Sequence, residues 1–241
     1  MMNSLKIEHT TAVGPQVYRS IRSRIIAGEL APGSVLSESE VAAGYAVSRQ
    51  PVREAFIRLA SDGLVQVRPQ RGTYVTEIDV EAVLNARFVR EAIEVAIVRV
   101  IAGAAYPAVI ADLRAQIALQ QAVAPADATA FQDLDERFHR TLAEAAGQTF
   151  AWGVVEDLKA QMDRVRMLSY YPDHMSRLVT QHVAVVDAVE AADPAEAETA
   201  MRTHLREIIR TVQQLADERP EIFAAARMKK TPKTTTEEEP K

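Results

Sequence analysis

Cysteine is absent from the 241 residues, which excludes a disulfide framework and any thiolate metal site. Long apolar runs are missing too. None approaches the roughly 18 residues that a membrane helix requires, and no charged-then-apolar leader precedes a cleavage site. These absences predict a soluble, cytoplasmic protein with no membrane partner. From Asp79 onward no β-type alternation of apolar and polar side chains appears, so the rear of the chain is expected to be all helical. No clear internal repeat is present.

What the sequence does have is 48% hydrophobic residues, enough for an ample core in one or two domains. Its charge is uneven. Residues 1–75 hold 9 Lys and Arg against 6 Asp and Glu, a net of +3. Residues 76–241 hold 19 against 27, a net of −8, and the two halves sum to the formal −5. A basic front and an acidic rear suit a nucleic-acid head on a regulatory or assembly domain.

The front is organised around VSRQPVREAFIRLASDGLVQVRPQRGTYV, residues 47–75. Ser48 stands where a helix cap belongs, and Arg49 and Arg53 lie four apart on one face of the helix that follows. Val52, Ala55, Phe56 and Leu59 make the opposite, apolar face. Pro51 is tolerated in the first turn, and Gly63 ends the helix. Two short β-like runs, Leu64–Arg68 and Thr73–Val75, flank a Pro-Gln-Arg-Gly turn. A bare arginine face beside a hairpin tipped by Arg68, Arg71 and Gly72 suits a DNA groove. The plain alternative is a small helix–hairpin core with solvated arginines.

Upstream, residues 1–13 lack periodicity and are expected to form a flexible arm. Residues 15–27 put Val17, Ile21 and Ile25 on one helical stripe, leaving Arg19, Arg22 and Arg24 to solvent or phosphate. Ser37-Glu-Ser-Glu40 reads as a capping box opening a short helix over Glu38–Gly44. Three helices and a hairpin at this spacing form a winged helix-turn-helix over residues 14–76. The segment 18–75 resembles the GntR family of bacterial transcription regulators. It carries PG, then LSESE, then VSRQPVREAFIRLASDGL, then RGTYV, in the family's order. The resemblance implies that Ser48, Arg49, Gln50 and Arg53 meet operator bases or phosphates, and that Arg71 and Gly72 form the wing tip. Ser39 departs from the Arg or Asn often found there, which weakens or removes one DNA contact.

The rear, residues 77–218, is predicted as an antiparallel bundle of six helices. Asp79 caps the first, which runs to about Ala104. Pro107 opens the second and Pro125 ends it. The third runs from Asp127 to Gly147, the fourth from about Phe150 to Ser169, the fifth over about 174–192, and the sixth from Pro194 to about Asp217. Residues 219–241, ending in KKTPKTTTEEEPK, are polar and read as a disordered tail. The fold class is therefore mainly α.

Polar side chains sit on apolar stripes in this bundle. Asp135 and His139 share the stripe of Phe131, Phe138 and Leu142. His182 shares a face with Val185, Val186 and Val189, and His204 with Met201, Leu205 and Ile208. Four inward ligand-type residues on facing helices suit a divalent ion: zinc first, or nickel, manganese or iron(II). A single inward histidine is more often hydrogen-bonded core. His9 and His174 receive no role.

The same residues resemble the FCD effector domain that accompanies GntR heads in the FadR subfamily, over roughly 80–217. Arg90-Glu-Ala-Ile-Glu94 and Asp135-Glu-Arg-Phe-His139 match its early signatures, and His182 and His204 its later histidines. Gln148 and Gln181 stand where Asn and Glu are commoner. The resemblance implies a metal-binding member. A divalent ion with one Asp and three His keeps a net positive charge and leaves positions open, which favours a small carboxylate effector, a hydroxy acid or sugar acid. Arg90 can face that pocket or simply pair with Glu94. Arg164 and Arg166 can line the same pocket, although a solvated face is the expected place for them. The expected whole is a homodimeric repressor on double-stranded operator DNA, not an enzyme. A metal-dependent enzyme and a regulator that answers to the metal alone stay as alternatives.

Overall fold

A computed structural model describes residues 7–8, 10–104, 106–124 and 127–224. His9, Pro125 and the charged tail after residue 224 lie outside the described residues.

The front folds as read. Helix α1 (Val13–Ile26), α2 (Glu38–Gly44) and α3 (Arg49–Ser61) bury Val17, Ile21, Ile25, Val52, Phe56 and Leu59 in one core. Beside them lies a small sheet in which β3 (Gly72–Val75) pairs antiparallel with β1 (Val35–Leu36) and with β2 (Val65–Arg68). The two-residue β1 was not anticipated, because it is too short to show an alternation. Ser37 caps α2 through Glu40 N at 3.4 Å. The return bond from Glu40 expected of a capping box is absent. Ser48 takes the cap position of α3, but its hydroxyl makes no capping bond.

The rear is an all-helical bundle of α4 (Val80–Ala102), α5 (Pro107–Ala122), α6 (Ala128–Ala145), α7 (Thr149–Leu158), α8 (Ala160–Ser169), α9 (Pro172–Glu190) and α10 (Pro194–Glu218). Asp79, Asp127 and Asp193 each accept backbone N–H bonds at their helix starts. Helix α10 packs along both α4 and α9, and α5 against α6 and α9. Phe131, Phe138, Leu142 and Val185 are fully buried between them. Truncating one such phenylalanine to alanine costs about 3–5 kcal/mol.

Two boundaries depart from the sequence reading. The expected fourth helix is broken in two at Lys159, without any proline or glycine at the break. Lys159 is buried, and its ammonium is drawn inward to Glu136 on α6 and, at 2.7 Å, to Asp163. Glu136 lies outside any local window, while Asp163 is one turn ahead on α8. The expected disorder from residue 219 does not hold for its first residues. A 3-10 turn (Pro220–Ile222) leads to Phe223, which bridges to Ile78, and both Ile222 and Phe223 are buried. Ile78 N donates to Ile222 O and Ala224 N to Ile78 O, so this segment is stitched to the linker between head and bundle.

Candidate metal centre and nucleic-acid interface

Asp135 and His139 come from α6, His182 from α9 and His204 from α10, all four buried. Their donor atoms lie within 4.8 Å of one another. His139 Nε2 and His204 Nε2 are 3.1 Å apart, and His182 Nε2 is 3.3 Å from His204 Nε2. Asp135 Oδ1 approaches His182 Nε2 at 3.5 Å.

The outer nitrogens explain this convergence. His139 Nδ1 bonds Glu94 Oε2 at 2.5 Å, His182 Nδ1 bonds Gln120 Oε1 at 2.8 Å, and His204 Nδ1 bonds Gln181 Oε1 at 3.2 Å. Each ring donates Nδ1–H outward and turns its Nε2 lone pair toward one point. Phe138 stacks on His182 with ring centroids 4.2 Å apart and fixes that plane. Asp135 Oδ1 is buried with no hydrogen-bond partner among the described residues, while Oδ2 is paired with Arg166. Three inward lone pairs and a bare carboxylate oxygen repel one another unless a cation lies between them. The donor set fits a divalent ion: imidazole nitrogens and a carboxylate, with outer partners holding each ligand.

The electrostatics point the same way. Burial pushes His182 down to about 3, and burial with the two neighbouring imidazoles pushes His204 well below the usual histidine range. Burial alone would raise Asp135, but the Arg166 guanidinium and the facing imidazoles hold it well below the usual carboxylate range. Glu94 is treated alike: against burial, Arg90 and His139 bring it down to about 2. His182, His204 and Asp135 thus stay in the deprotonated form that a metal needs.

A cavity of about 30 Å³ adjoins the cluster, bordered by Arg90, Arg166, Tyr170, His174 and His204. Both readings of Arg90 hold in part, since it pairs with Glu94 and also borders the cavity. Arg164 and Arg166 are buried rather than on the expected solvated face, and of the two Arg166 borders this cavity, as the pocket alternative had it. Arg166 is held by Asp135, and Arg164 donates to Thr76 O at 2.8 Å. Their partners lie on other elements, which sequence spacing does not reveal. Sequence reasoning also missed Gln120 and the role of Glu94 toward His139. The signal for Gln120 was available: Leu113, Gln116, Ile117 and Gln120 form one buried stripe on α5. A glutamine on such a stripe marks an inward hydrogen-bond partner just as the histidines mark candidate ligands.

On the head, Ser48, Arg49 and Gln50 are exposed at the start of α3. Arg53, on the same face as Arg49, is exposed and pairs with Glu38 of α2 at 3.2 Å. Arg71 and Gly72 stand apart, at the β2–β3 turn, where Gly72 has φ +99°. Beside that turn Arg68 lies over the Tyr74 ring at 4.6 Å. Ser39 is exposed and turned to Ser37 Oγ at 2.9 Å.

Residues 14–75 match the family described as "Bacterial regulatory proteins, gntR family", and residues 86–207 match the FCD domain. The chain belongs to the gntR family. This GntR regulator is 40% identical over 223 residues to the HTH-type transcriptional repressor RspR of Escherichia coli (strain K12), covering 91% of this chain and 97% of that one. It is 27% identical over 192 residues to the gluconate operon transcriptional repressor of Bacillus subtilis (strain 168), covering 76% and 78%. Its fold is that of E. coli McbR/YncC, with a TM-score of 0.70 at 21% identity, over 85% of this chain and 99% of that one. A GntR regulator from Rhodococcus sp. RHA1 also matches at 0.70, with 24% identity over 84% and 99%. The protein is therefore a regulator with a GntR head and an FCD bundle, not an enzyme. Among the described residues no helix is long and apolar enough to cross a membrane.

Proposed function

We propose that this protein is a homodimeric transcriptional repressor whose hold on operator DNA is set by a small carboxylate bound at a metal ion in the FCD bundle. The observation that carries the reading is the convergence of three Nε2 lone pairs and the bare Asp135 Oδ1, each backed by a hydrogen-bonded or ion-paired partner. Asp135, His139, His182 and His204 are the ligands, and zinc is the first candidate. When bound, the ion supplies a Lewis-acidic centre with open positions for an anionic oxygen.

Arg90 and Arg166 add positive charge beside those positions, so an acid is favoured over a neutral sugar. The names of two relatives support a sugar-derived effector: the gluconate operon repressor, and a probable D-xylose utilization operon repressor of Paenarthrobacter nicotinovorans at 29% identity. Repression follows the same relatives and RspR. On the DNA side, Ser48, Arg49, Gln50 and Arg53 read a half-site in the major groove, with Arg71 and Gly72 against the neighbouring backbone or minor groove. Two heads read a short palindrome.

Self-association is supported by an apolar face on α4 and α7, which pack side by side. It carries Phe88, Val100, Val154, Leu158 and Phe150, the last 87% exposed. A face of this kind on a surface helix pair is otherwise costly in water.

A second reading, control by the metal alone, draws on the cavity beside the cluster. Its volume of about 30 Å³ holds roughly one water, so an organic acid requires the pocket to widen. A thermal-shift screen of chelator-stripped and metal-reloaded protein against small carboxylates separates the two. A ligand of the folded state raises the melting temperature by mass action. One acid stabilising only the metal-loaded form, and changing operator affinity, supports the effector reading. Metal stabilisation with no response to any acid supports the second. No response to metal in either form defeats both.

A further inference from the structure

A separate cavity lies at the joint between head and bundle, away from the histidine cluster. It has a volume of about 370 Å³, within the range of about 300–1,000 Å³ typical of small-molecule sites. Ile25, Ile26 and Ala31 close it from the head, Ile78 from the linker, Leu168 from α8 and Ile222 from the 3-10 turn. The walls are mostly apolar, and one charged side chain sets their polarity.

That side chain is Arg164, which is only 3% exposed. Its guanidinium finds neutral acceptors only: Thr76 O at 2.8 Å, Gln161 Oε1 at 3.1 Å and Thr76 Oγ1 at 3.5 Å. No carboxylate pairs with it among the described residues. The contrast with its neighbours is sharp, since Arg166 has Asp135 and Arg90 has Glu94. Burial brings Arg164 down to about 10, with no opposing anion to hold it up. A buried cation without a counter-ion is costly, and an arriving anion relieves that cost. The other cation at the pocket, Arg219, is half-exposed and already engages Glu221 at 3.4 Å. The single acid on the walls is thus occupied.

We propose that this pocket binds a monocarboxylate with an apolar body, its carboxylate on Arg164 and its hydrocarbon against the isoleucines and Leu168. Arg164 offers the fork geometry that a carboxylate matches. The apolar walls suit a hydrocarbon chain and disfavour a compact, strongly hydrated ion. Because the walls come from the head, the linker and the bundle together, occupancy ties the head to the bundle without involving the metal ligands. The site is separate from the proposed effector site and stands or falls independently of it.

The test is calorimetric titration of the full-length, zinc-loaded protein with octanoate, with inorganic phosphate as a second probe. Octanoate is expected to bind and phosphate not. Arg164→Gln weakens octanoate by about tenfold or more. Ala31→Trp, at an exposed position on the pocket rim, does the same without touching the buried guanidinium. It keeps the proposal testable if Arg164→Gln fails to fold. Zinc-loaded and chelator-stripped wild-type protein bind octanoate equally. Absence of octanoate binding to the wild-type protein overturns the proposal. So does phosphate binding with octanoate inert, or octanoate binding that survives Ala31→Trp undiminished.

Discussion

Arg166 on α8 grips Oδ2 of Asp135 on α6, which leaves Oδ1, 3.5 Å from His182 Nε2, without a hydrogen-bond partner among the described residues. The arginine thereby aims a ligand without touching the site of the ion. Arg166→Gln is expected to lower zinc affinity by about 10–100-fold, the usual effect of losing an outer partner. His182→Ala, which removes a ligand itself, is expected to lower it further and abolish the melting-temperature gain on reloading. Competitive chelator titration measures both. Unchanged affinity in Arg166→Gln removes the aiming role, and a full metal complement in His182→Ala defeats the four-ligand centre.

Arg53 is held by Glu38 when the head is free of DNA. Arg49→Ala and Arg53→Ala should each weaken operator binding by about 1–3 kcal/mol if the side chain meets a base edge. Glu38→Ala should strengthen binding, since Arg53 no longer leaves an internal partner. Fluorescence anisotropy on operator DNA over a salt series checks all three. Raising salt should weaken the wild type steeply as counterions are released. A flat salt curve, or arginine variants that bind normally, rejects the docking face.

Phe150→Asp places a charge on the apolar face of α4 and α7. The expected result is a monomer in analytical ultracentrifugation, with the melting transition retained because Phe150 lies outside the core. A dimer that persists in both Phe150→Asp and Phe88→Asp locates self-association elsewhere.

His174 is buried, with Nδ1 on Ser169 O at 2.7 Å and no partner for Nε2 among the described residues. Burial lowers its pKa below the ordinary 6.5. The unfolded chain therefore binds the proton more readily in the window below 6.5, and stability falls as pH drops through that window. His174→Gln should flatten the slope of melting temperature against pH below 6.5, where the wild type still loses stability. Parallel slopes for the two proteins would show that this histidine titrates as it does in the unfolded chain.

Local rules carried the head almost whole. The Val17, Ile21, Ile25 stripe, the apolar face of α3 and the turn at Gly72 are each set by residues within a few positions of one another. The four clustered side chains were legible for the same reason, since Asp135, His139, His182 and His204 interrupt apolar stripes. Their outer partners were less so. Glu94 lies on α4 and Gln120 on α5, and nothing in their own windows says which histidine they meet. The break at Lys159 and the burial of Arg164 and Arg166 have one origin: each side chain is drawn inward by a partner on another element. Sequence spacing reports faces within an element, and these contacts are made between elements.

The bridge between Ile78 and Phe223 gives the molecule an order of assembly. The head's core takes all its buried residues from positions 17–75 except Ala160 of α8, so its three helices and hairpin can close largely on their own as they leave the ribosome. The linker at Ile78 cannot be fixed then, because its partner strand follows α10 and is synthesised later. A nascent head is thus a DNA reader on a loose tether. Helix α8 makes the first ties, through Arg164 to Thr76 and Gln161 to Gly63, and the segment around Phe223 closes the joint last.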